Sequence, residues 1–353
     1  MLRRVPILFG LTLFVFGCQK ENPPPSESAA SSDAGAPRKE ALDPDLAQAV
    51  AAASAMRPGD RPSAVEGGPP PNGIFAPGAA DKEIAHGQPP KLTLGSDGAE
   101  PRVTLFPAQP KPGSKQSGTI QVVQQAQGAG LPVEFSVTFE AQKPKAEGAT
   151  AVPVTVRVTG ARVAVSGAPK EVESQVAKLR GTKVEYEVSP DGAGTNYRYD
   201  LAKGASSDLG EVVRALTDTL AVVTLPYPEK PVGVGAFWMA TSRDGTMGLD
   251  LVTYRMVKVE RIEGKTVSLN VNTKRYSAGA TFDLPGLPPE APRNLAEFQS
   301  LAEGSLQIEA GKGFPLGGTQ NSAFGAQLQS PTNPAQRGML EVRTRAELKL
   351  GGS

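Results

Sequence analysis

Hydrophobic and polar residues alternate along much of the chain after about residue 102, and this alternation predicts β-strands that each bury one face. The clearest runs cover residues 133–139, 152–158, 184–188, 267–271 and 340–350. Val163 and Val165 continue the second run past Gly160. Alternation of this kind is typical of antiparallel sheets with one face in water. We therefore expect consecutive strands with short turns in a curved or partly closed sheet.

Three apolar stripes with helical spacing interrupt the strand pattern. The first has Leu209, Val213, Leu216 and Leu220 behind a capping-box-like pair, Asp208 and Glu211; the second has Val172, Val176 and Leu179; the third has Leu295, Phe298 and Leu301 behind Asn294 and Glu297. Helices with such apolar stripes are expected to bury them by packing on the sheet. The predicted fold class is therefore α+β, mainly β, with an antiparallel, curved or half-barrel-like sheet and a few covering helices.

The beginning of the chain has the features of a secretory signal peptide. Arg3 and Arg4 precede an apolar run that extends from residue 5 to residue 17. As a helix this run would be about 20 Å long, which is shorter than a bilayer core of about 30 Å. We therefore expect residues 1–17 to be a signal peptide rather than a membrane span.

Residues 18–90 are rich in Pro, Ala, Ser and Gly and contain few large apolar side chains. Burial can then offset little of the backbone entropy that ordering costs, so we expect a flexible, disordered tether. Two parts of it differ: residues 42–56 are predicted to form a short helix, and Ile74, Phe75 and Ile84 are expected to dock on the domain. The β-rich domain is predicted at residues 91–353, with two candidate lobes at about 102–223 and 224–350.

Val15-Phe16-Gly17-Cys18, at the end of the apolar run, resembles the lipobox of bacterial lipoproteins. The resemblance implies cleavage before Cys18, lipid attachment to it (diacylglyceryl and acyl, or palmitate, groups), and a membrane partner through that anchor. Gln19 follows the cysteine, which resembles an outer-membrane address, so the expected location is the cell envelope, facing the periplasm or the cell surface. A secreted protein with an incidental cysteine and a buried thiol are the alternatives.

A central segment carries a second resemblance. Residues 231–238, Pro-Val-Gly-Val-Gly-Ala-Phe-Trp, precede a long predicted strand pair. Together with the flanking residues from about 209 to 276, they resemble an uncharacterised family of exported bacterial lipoproteins. That family implies no activity and no functional residues. Independently of it, Trp238 is the only tryptophan, and we expect it to fill a core rather than to bind a ligand.

The composition limits the chemistry that the chain can perform. With 37 basic and 36 acidic side chains, the net charge of +1 argues against a nucleic-acid partner. One histidine, His86, and one cysteine, Cys18, argue against a serine–histidine pair and against zinc bound by Cys and His. No pair of carboxylates stands out, and residues 191–194 and Asp244-Gly245 are interpreted as hairpin turns. We therefore expect no catalytic residue, metal or cofactor, and predict that the protein is not an enzyme.

Three functions remain open from the sequence. The leading hypothesis is a membrane-anchored envelope lipoprotein whose β domain binds another protein or the cell wall, or has a structural role. A carrier of lipid or another hydrophobic ligand is the first alternative, and it would need a cavity of several hundred cubic ångströms between sheet and helices. A hydrolase that uses carboxylates only is the second. Residues 282–292 form a candidate lid or rim, or a crossing loop; the sequence indicates no ligand-binding residue.

Overall fold

A computed structural model describes residues 70–126, 129–144, 148–246, 248–281, 293–333 and 335–351. The compact unit that they form begins at Asn72. The signal peptide, Cys18, the predicted helix at residues 42–56 and the candidate lid at residues 282–292 lie outside the described residues.

The described part of the chain is built mainly from long strands. They are β1 (Lys91–Ser96), β2 (Lys115–Ala126), β3 (Ala129–Ala141), β4 (Val152–Val163), β5 (Lys183–Val188), β6 (Gly194–Asp200), β7 (Phe237–Thr246), β8 (Leu249–Glu263), β9 (Thr266–Ser277), β10 (Asn294–Glu309), β11 (Pro315–Gln329) and β12 (Arg337–Leu350). The helices are α1 (Ala79–Glu83), α2 (Lys170–Ala177) and α3 (Gly210–Val223), and a 3₁₀ turn at Ser207–Leu209 precedes α3.

These strands form one antiparallel sheet in the order β1-β7-β8-β9-β10-β11-β12-β2-β3-β4-β5-β6. β2–β6 and β7–β12 form two consecutive blocks, and β1 pairs with β7 at the outer end of the second block. β12 and β2 join the blocks by pairing from Val342–Ala126 to Leu350–Gly118. β1 and β6 are the two edges and do not pair with each other, so the sheet is not closed into a barrel. The predicted antiparallel, mainly β fold is confirmed.

Two of the three predicted helices form where the apolar stripes place them. α2 buries Val176, and α3 buries Val213, Leu216 and Leu220 in the largest core cluster, together with residues of β2–β5 and β12. The first N–H groups near α3 are capped by Ser206, whose hydroxyl accepts a hydrogen bond from the Asp208 N–H at 3.3 Å. We call the face of the sheet that α3 covers the inner face, and the opposite face the outer face.

The third predicted helix is wrong, because Asn294–Glu309 is strand β10. Its pairing with β11 shifts register between Leu295 and Glu297, so the strand contains a bulge there. The bulge lets Leu295 and Phe298, three residues apart, both reach the same buried cluster, while Leu301 is 54% exposed. A spacing of three that looked helical is therefore produced by a bulged strand.

The sheet curls so that its two ends approach each other on the inner side. The turn between β5 and β6 accepts hydrogen bonds from residues far away in sheet order: the Ala108 N–H donates to the Pro190 carbonyl at 2.9 Å, and the Tyr227 N–H to the Asp191 carbonyl at 2.7 Å. Tyr227 in turn packs beside Trp238 on β7, with ring centroids 6.1 Å apart. The segment before β7 thus connects the β6 edge with the other end of the sheet.

Trp238 lies in the core of this connection. Its side chain is fully buried, and the indole N–H donates to the Pro226 carbonyl at 3.0 Å. Val257 and Leu269 of the neighbouring strands belong to the same cluster. The expectation that Trp238 fills a core is confirmed.

Residues 72–84, which we call the strap, lie between two strands and then cross to the outer face. β9 and β10 pair only as far as Lys274–Leu301, and the strap fills the gap beyond that point. The Ser277 N–H of β9 donates to the Gly73 carbonyl at 2.8 Å, and the Phe298 N–H of β10 donates to the Asn72 carbonyl at 2.9 Å. A Cβ atom at Gly73 would lie 1.7 Å from the Phe298 oxygen, so only glycine fits there.

The side chains of the strap explain why it belongs to the compact unit rather than to the tether. Ile74 packs in the inner-face cluster of Phe298, whereas Phe75 and Ile84 pack on the outer face with Val252. Phe75 also meets Tyr276 edge-on, with ring centroids 6.0 Å apart. The predicted docking of Ile74, Phe75 and Ile84 is confirmed, and it brings α1 onto the outer face of β7–β9.

Candidate binding site on the inner face

The inner face changes character along its strands. Near α3 its residues are apolar, for example Val257 and Leu269, and at the opposite strand ends they are apolar again, as in Phe298 and Leu340. Between these two zones one row of residues crosses six paired strands, namely Arg255, Thr273, Ala302, Ser322, Thr344 and Gln124. We call it the polar row; at about 4.8 Å per strand it is about 24 Å long.

The polar row is open to solvent over much of its length. Ala302, Ser322, Thr344 and Gln124 are all partly exposed, although each points to the face that the core occupies elsewhere. On β2 and β12 the flanking residues Val122, Val342 and Ala346 are buried. We interpret the row as the floor of a shallow groove in which Ser322, Thr344 and Gln124 offer hydroxyl and amide groups to a ligand.

Arg255, at the β8 end of the row, is 5% exposed. One terminal guanidinium nitrogen donates to the Ser242 hydroxyl at 3.0 Å, and the other reaches an Asp244 carboxylate oxygen at a long 3.4 Å. The Nε–H is buried without a hydrogen-bond partner. Buried donors are nearly always satisfied, so this unused group is an exception that needs a reason.

Arg275 of β9 is the diagonal neighbour of Arg255 on the same face, because Thr253 pairs with Arg275 and Arg255 with Thr273. Burial lowers the pKa of Arg275, and the nearby positive charge of Arg255 adds to this effect. Asp244 and Asp218 oppose it through their charges, not through hydrogen bonds to Arg275. Arg275 therefore lies within range of the charges of Arg255, Asp244 and Asp218 on the inner face.

Asp244 connects this arginine pair to solvent. Its carboxylate accepts hydrogen bonds from Thr253 at 2.8 Å and from Ser242 at 3.3 Å, in addition to the long contact from Arg255. Its side chain is 40% exposed, so one side of the cluster faces water.

Tyr197 reaches the same cluster from β6, at the far edge of the sheet. Its ring stacks on Tyr186, with centroids 4.9 Å apart, and its hydroxyl bonds to Thr224 after α3. Burial is the main cause that raises the pKa of Tyr197, while the Arg255 charge lowers it and the Asp244 charge raises it. The curl of the sheet thus brings three separate strands, β6, β7 and β8, to one charged site.

Two small cavities are lined by described residues. One lies under the end of α3 beside the polar row and is lined by Thr273, Ala302 and Gln320 among others; its volume is about 20 Å³. The Thr273 hydroxyl and the Gln320 side-chain oxygen are buried there without a partner, so the space suits a single water molecule. The second, near Tyr227 and Phe314, is also about 20 Å³. Neither has the several hundred cubic ångströms that the carrier alternative needs.

The structure places the sequence-predicted residues as follows. Cys18 lies outside the described residues, and His86 is exposed after α1. Residues 191–194 do form a turn, in which Gly192 has φ 94°. Asp244-Gly245 is not the turn itself but the end of strand β7, and Asp244 points to the inner face. Among the described residues there is no group of three His, Cys, Asp or Glu that could hold a metal ion.

Arg255 and Arg275 were missed by the sequence analysis, although a signal was present. Val257 and Val259 are buried, so the alternation of β8 places Arg255 on the same inner face. In β9 the positions of Leu269 and Val271 place Thr273 and Arg275 there too. The sequence signal for this site is therefore an arginine at a position where the two-residue alternation predicts a buried apolar residue.

Comparisons with known proteins give no family for this chain. No family model matches it, and no curated protein matches it. Eight chains of solved structures match. One of them comes from a structure described as "lipid-protein interactions in lipovitellin"; it has a TM-score of 0.41 and 11% identity and covers 69% of this chain. This chain spans only 25% of that lipovitellin chain, and the similarity is too distant to indicate a shared function. No described helix has the length and apolar character to cross a bilayer.

Proposed function

We propose that this protein is a lipid-anchored protein of the bacterial cell envelope whose β domain binds a ligand and does not catalyse a reaction. The anchor is Cys18, after a signal peptide at residues 1–17, and residues between Cys18 and the strap form the tether. The outer membrane is the proposed location. The binding surface is the groove along the polar row.

One observation carries the binding role: the inner face contains a partly exposed polar row that ends at Arg255, whose buried Nε–H has no partner, beside a second arginine, Arg275. A sheet that serves only as a scaffold gains most from apolar residues on its inner face, because burying a charge costs more than hydrogen bonding returns. Arg255 is buried at that cost without a complete set of partners. Groups that are unfavourable for stability and concentrated in a groove are typical of binding sites.

The same cluster supports binding rather than hydrolysis. Asp244 accepts hydrogen bonds from Thr253, Ser242 and Arg255, so its oxygens are already engaged in holding the site. Asp218 lies near the positive charge of Arg275. Asp244 therefore acts in this cluster by holding Ser242, Thr253 and Arg255 in place, which is a role in a binding site rather than in hydrolysis.

The anchor is tested by replacing Cys18 in the full chain and expressing both forms in a bacterium. Metabolic labelling with a clickable palmitate analogue should mark the wild type, and the wild type should sediment with the outer-membrane fraction. The Cys18→Ser form should carry no label. Equal labelling of both forms, or an unlabelled wild type released into the periplasm, would contradict the anchor.

The binding role is tested by native mass spectrometry of the full chain, released from a neutral detergent. A bound molecule that leaves on denaturation supports a binding module, and its mass identifies the class. Recovery of a long-chain, uncharged lipid would instead favour the carrier alternative. Turnover of model glycosides or esters that is lost in Asp244→Asn would contradict the non-enzymatic proposal.

A further inference from the structure

We propose that Arg255 and Arg275 form an oxyanion site, which binds the phosphate or carboxylate group of a polar ligand lying along the polar row. This inference rests on the proposed binding role and names the chemistry of its ligand. Oxygen-rich anions are the partners that guanidinium groups hold best, because two N–H groups can bond to two oxygens at once.

Two polar groups at the proposed site are buried without a partner. They are the Arg255 Nε–H and the hydroxyl of Thr273, which pairs with Arg255 across the strands. Arg275 lies beside them on the same face, diagonal to Arg255, and adds a second guanidinium. Two unpartnered polar groups on adjacent strands, next to a second guanidinium, form a surface that an oxyanion satisfies and a hydrocarbon does not.

The surroundings explain how an anion reaches the site and why a polar ligand extends from it. Asp244 is 40% exposed, so solvent reaches the cluster from its side. The row leads away from the arginines through Ser322, Thr344 and Gln124, which are partly exposed. Hydroxyl and amide groups at strand spacing suit a ligand with several hydrogen-bonding groups, such as a glycerophosphate headgroup.

Asp244 has a defined part in this site as a competitor. Its contact with Arg255 is long, 3.4 Å, and an incoming anion offers the arginine a stronger partner. Removing its charge therefore favours an added anion. The proposal thus predicts that Arg275→Ala weakens anion binding and Asp244→Asn strengthens it. Loss of folding would weaken binding in both variants.

The test is calorimetric titration of inorganic phosphate into the full chain in a neutral detergent. Arg275→Ala should weaken phosphate binding by about tenfold or more, since it removes charge-assisted hydrogen bonds. Asp244→Asn should strengthen it severalfold. Lys274→Ala is the matched control: it is the adjacent residue on β9, it is exposed, it points to the outer face, and its replacement removes the same unit of charge. Lys274→Ala should bind phosphate as the wild type does.

A second arm distinguishes a free phosphate from a lipid headgroup. The same four proteins are incubated with vesicles of phosphatidylglycerol or of phosphatidylcholine and analysed by native mass spectrometry after transfer to the neutral detergent. Retention of phosphatidylglycerol that Arg275→Ala loses would assign the site to a headgroup; phosphate binding without lipid retention would assign it to a free oxyanion.

The proposal is overturned if neither phosphate nor phosphatidylglycerol binds, or if Arg275→Ala and Lys274→Ala weaken binding equally. Because Arg255→Ala removes a buried side chain and can unfold the protein, Arg275→Ala and Asp244→Asn carry the result. A failure here, with a different ligand still recovered from the full chain, removes the oxyanion site and leaves the proposed binding module intact. Failure to recover any ligand removes both.

Discussion

Two buried arginines on adjacent strands differ in how completely their guanidinium groups are hydrogen-bonded. Arg243 of β7 lies on the outer face, and Arg255 of β8 on the inner face. The Arg243 guanidinium binds Asp250 with two hydrogen bonds, at 3.0 and 2.8 Å, and also bonds to Asp81 and to the Ile84 carbonyl at 3.2 Å. Its hydrogen bonds with Asp250 are the main reason that its pKa is raised. The Arg255 Nε–H has no partner, and burial lowers the pKa of its neighbour Arg275.

This contrast separates a structural arginine from a binding arginine. Arg243 joins the strap to the sheet, because Asp81 and Ile84 belong to the strap and Asp250 to β8. All the chemistry that Arg243 offers is used within the fold. On the inner face the Arg255 Nε–H remains without a hydrogen-bond partner, and a ligand in the groove can use such a donor. The comparison predicts different responses of the two faces to pH and to substitution.

The largest expected effect is on stability at high pH. Three of the tyrosines that cause it lie on the inner side, and Tyr254 on the outer face, whose pKa burial and the Glu83 charge also raise, adds to it. Burial raises the pKa of Tyr186, Tyr197 and Tyr227 above the usual value of 10. Above pH 10 the unfolded chain loses these protons while the folded chain keeps them. Deprotonation therefore stabilises the unfolded state, and the free energy of unfolding falls. Each such tyrosine contributes about 1.4 kcal/mol per pH unit, so the three together lower the free energy of unfolding by about 4 kcal/mol at pH 11.

Urea denaturation at pH 9, 10 and 11 measures this loss. Tyr227→Phe on the inner side should remove about a third of the loss, since burial alone perturbs that group. Tyr276→Phe on the outer face, where the ring is only partly buried, should remove less. Equal slopes for both variants would mean that the two faces do not differ in this respect.

The next effect is the loss of the outer arginine. Arg243→Ala should lower the free energy of unfolding by about 2 kcal/mol, which is less than for a fully buried ion pair because Asp81 and Asp250 are 60% and 42% exposed. Urea denaturation at pH 7 measures the change. Arg198→Ala, which breaks an exposed ion pair with Glu185 on the β5–β6 hairpin, is the control and should change stability little. A loss at Arg243 no greater than at Arg198 would show that the strap does not depend on this contact.

The smallest effect is at the inner arginine and has the opposite sign. Arg275→Met keeps a long apolar side chain and removes a charge whose pKa burial lowers, so stability should be unchanged or rise by up to about 1 kcal/mol. The same denaturation series at pH 7 measures it. A loss above about 2 kcal/mol would identify Arg275 as a structural residue like Arg243 and would remove the difference between the two faces.

Much of the fold could be predicted from the sequence because the period of two is a local signal. The alternation in β3, β5 and β12 corresponds to buried and exposed residues in the structure. The signal fails where a bulge changes its phase. In β4 the partner of Gly160 is Ser136 and the partner of Val158 is Val137, so Thr159 is the extra residue, and the buried positions change from even to odd numbers at Val163. The bulge after Leu295 hid β10 in the same way.

The site was harder to predict, for two physical reasons. Pairing of β12 with β2 and of β1 with β7 joins residues that are distant in the chain, and no local pattern specifies it. The polar row reaches β2 only because the β12–β2 pairing aligns Gln124 with Thr344, and its other positions depend on the exact register of four consecutive strand pairs. The inner position of Arg255, in contrast, follows from the alternation of β8 alone. The individual residue was therefore predictable, and its assembly into a groove was not.

The strap also determines how the domain responds to mechanical tension. A pull on the chain before Asn72 acts on a segment that runs parallel to β9 and is hydrogen-bonded to both β9 and β10. Such a load acts in shear, so the bonds at Asn72, Gly73 and Phe75 resist together instead of opening one after another. Ile74 and Phe75 are buried on opposite faces, and both must leave their clusters before the segment slides. The domain is thus held from within its sheet, not by an edge strand that tension could peel away.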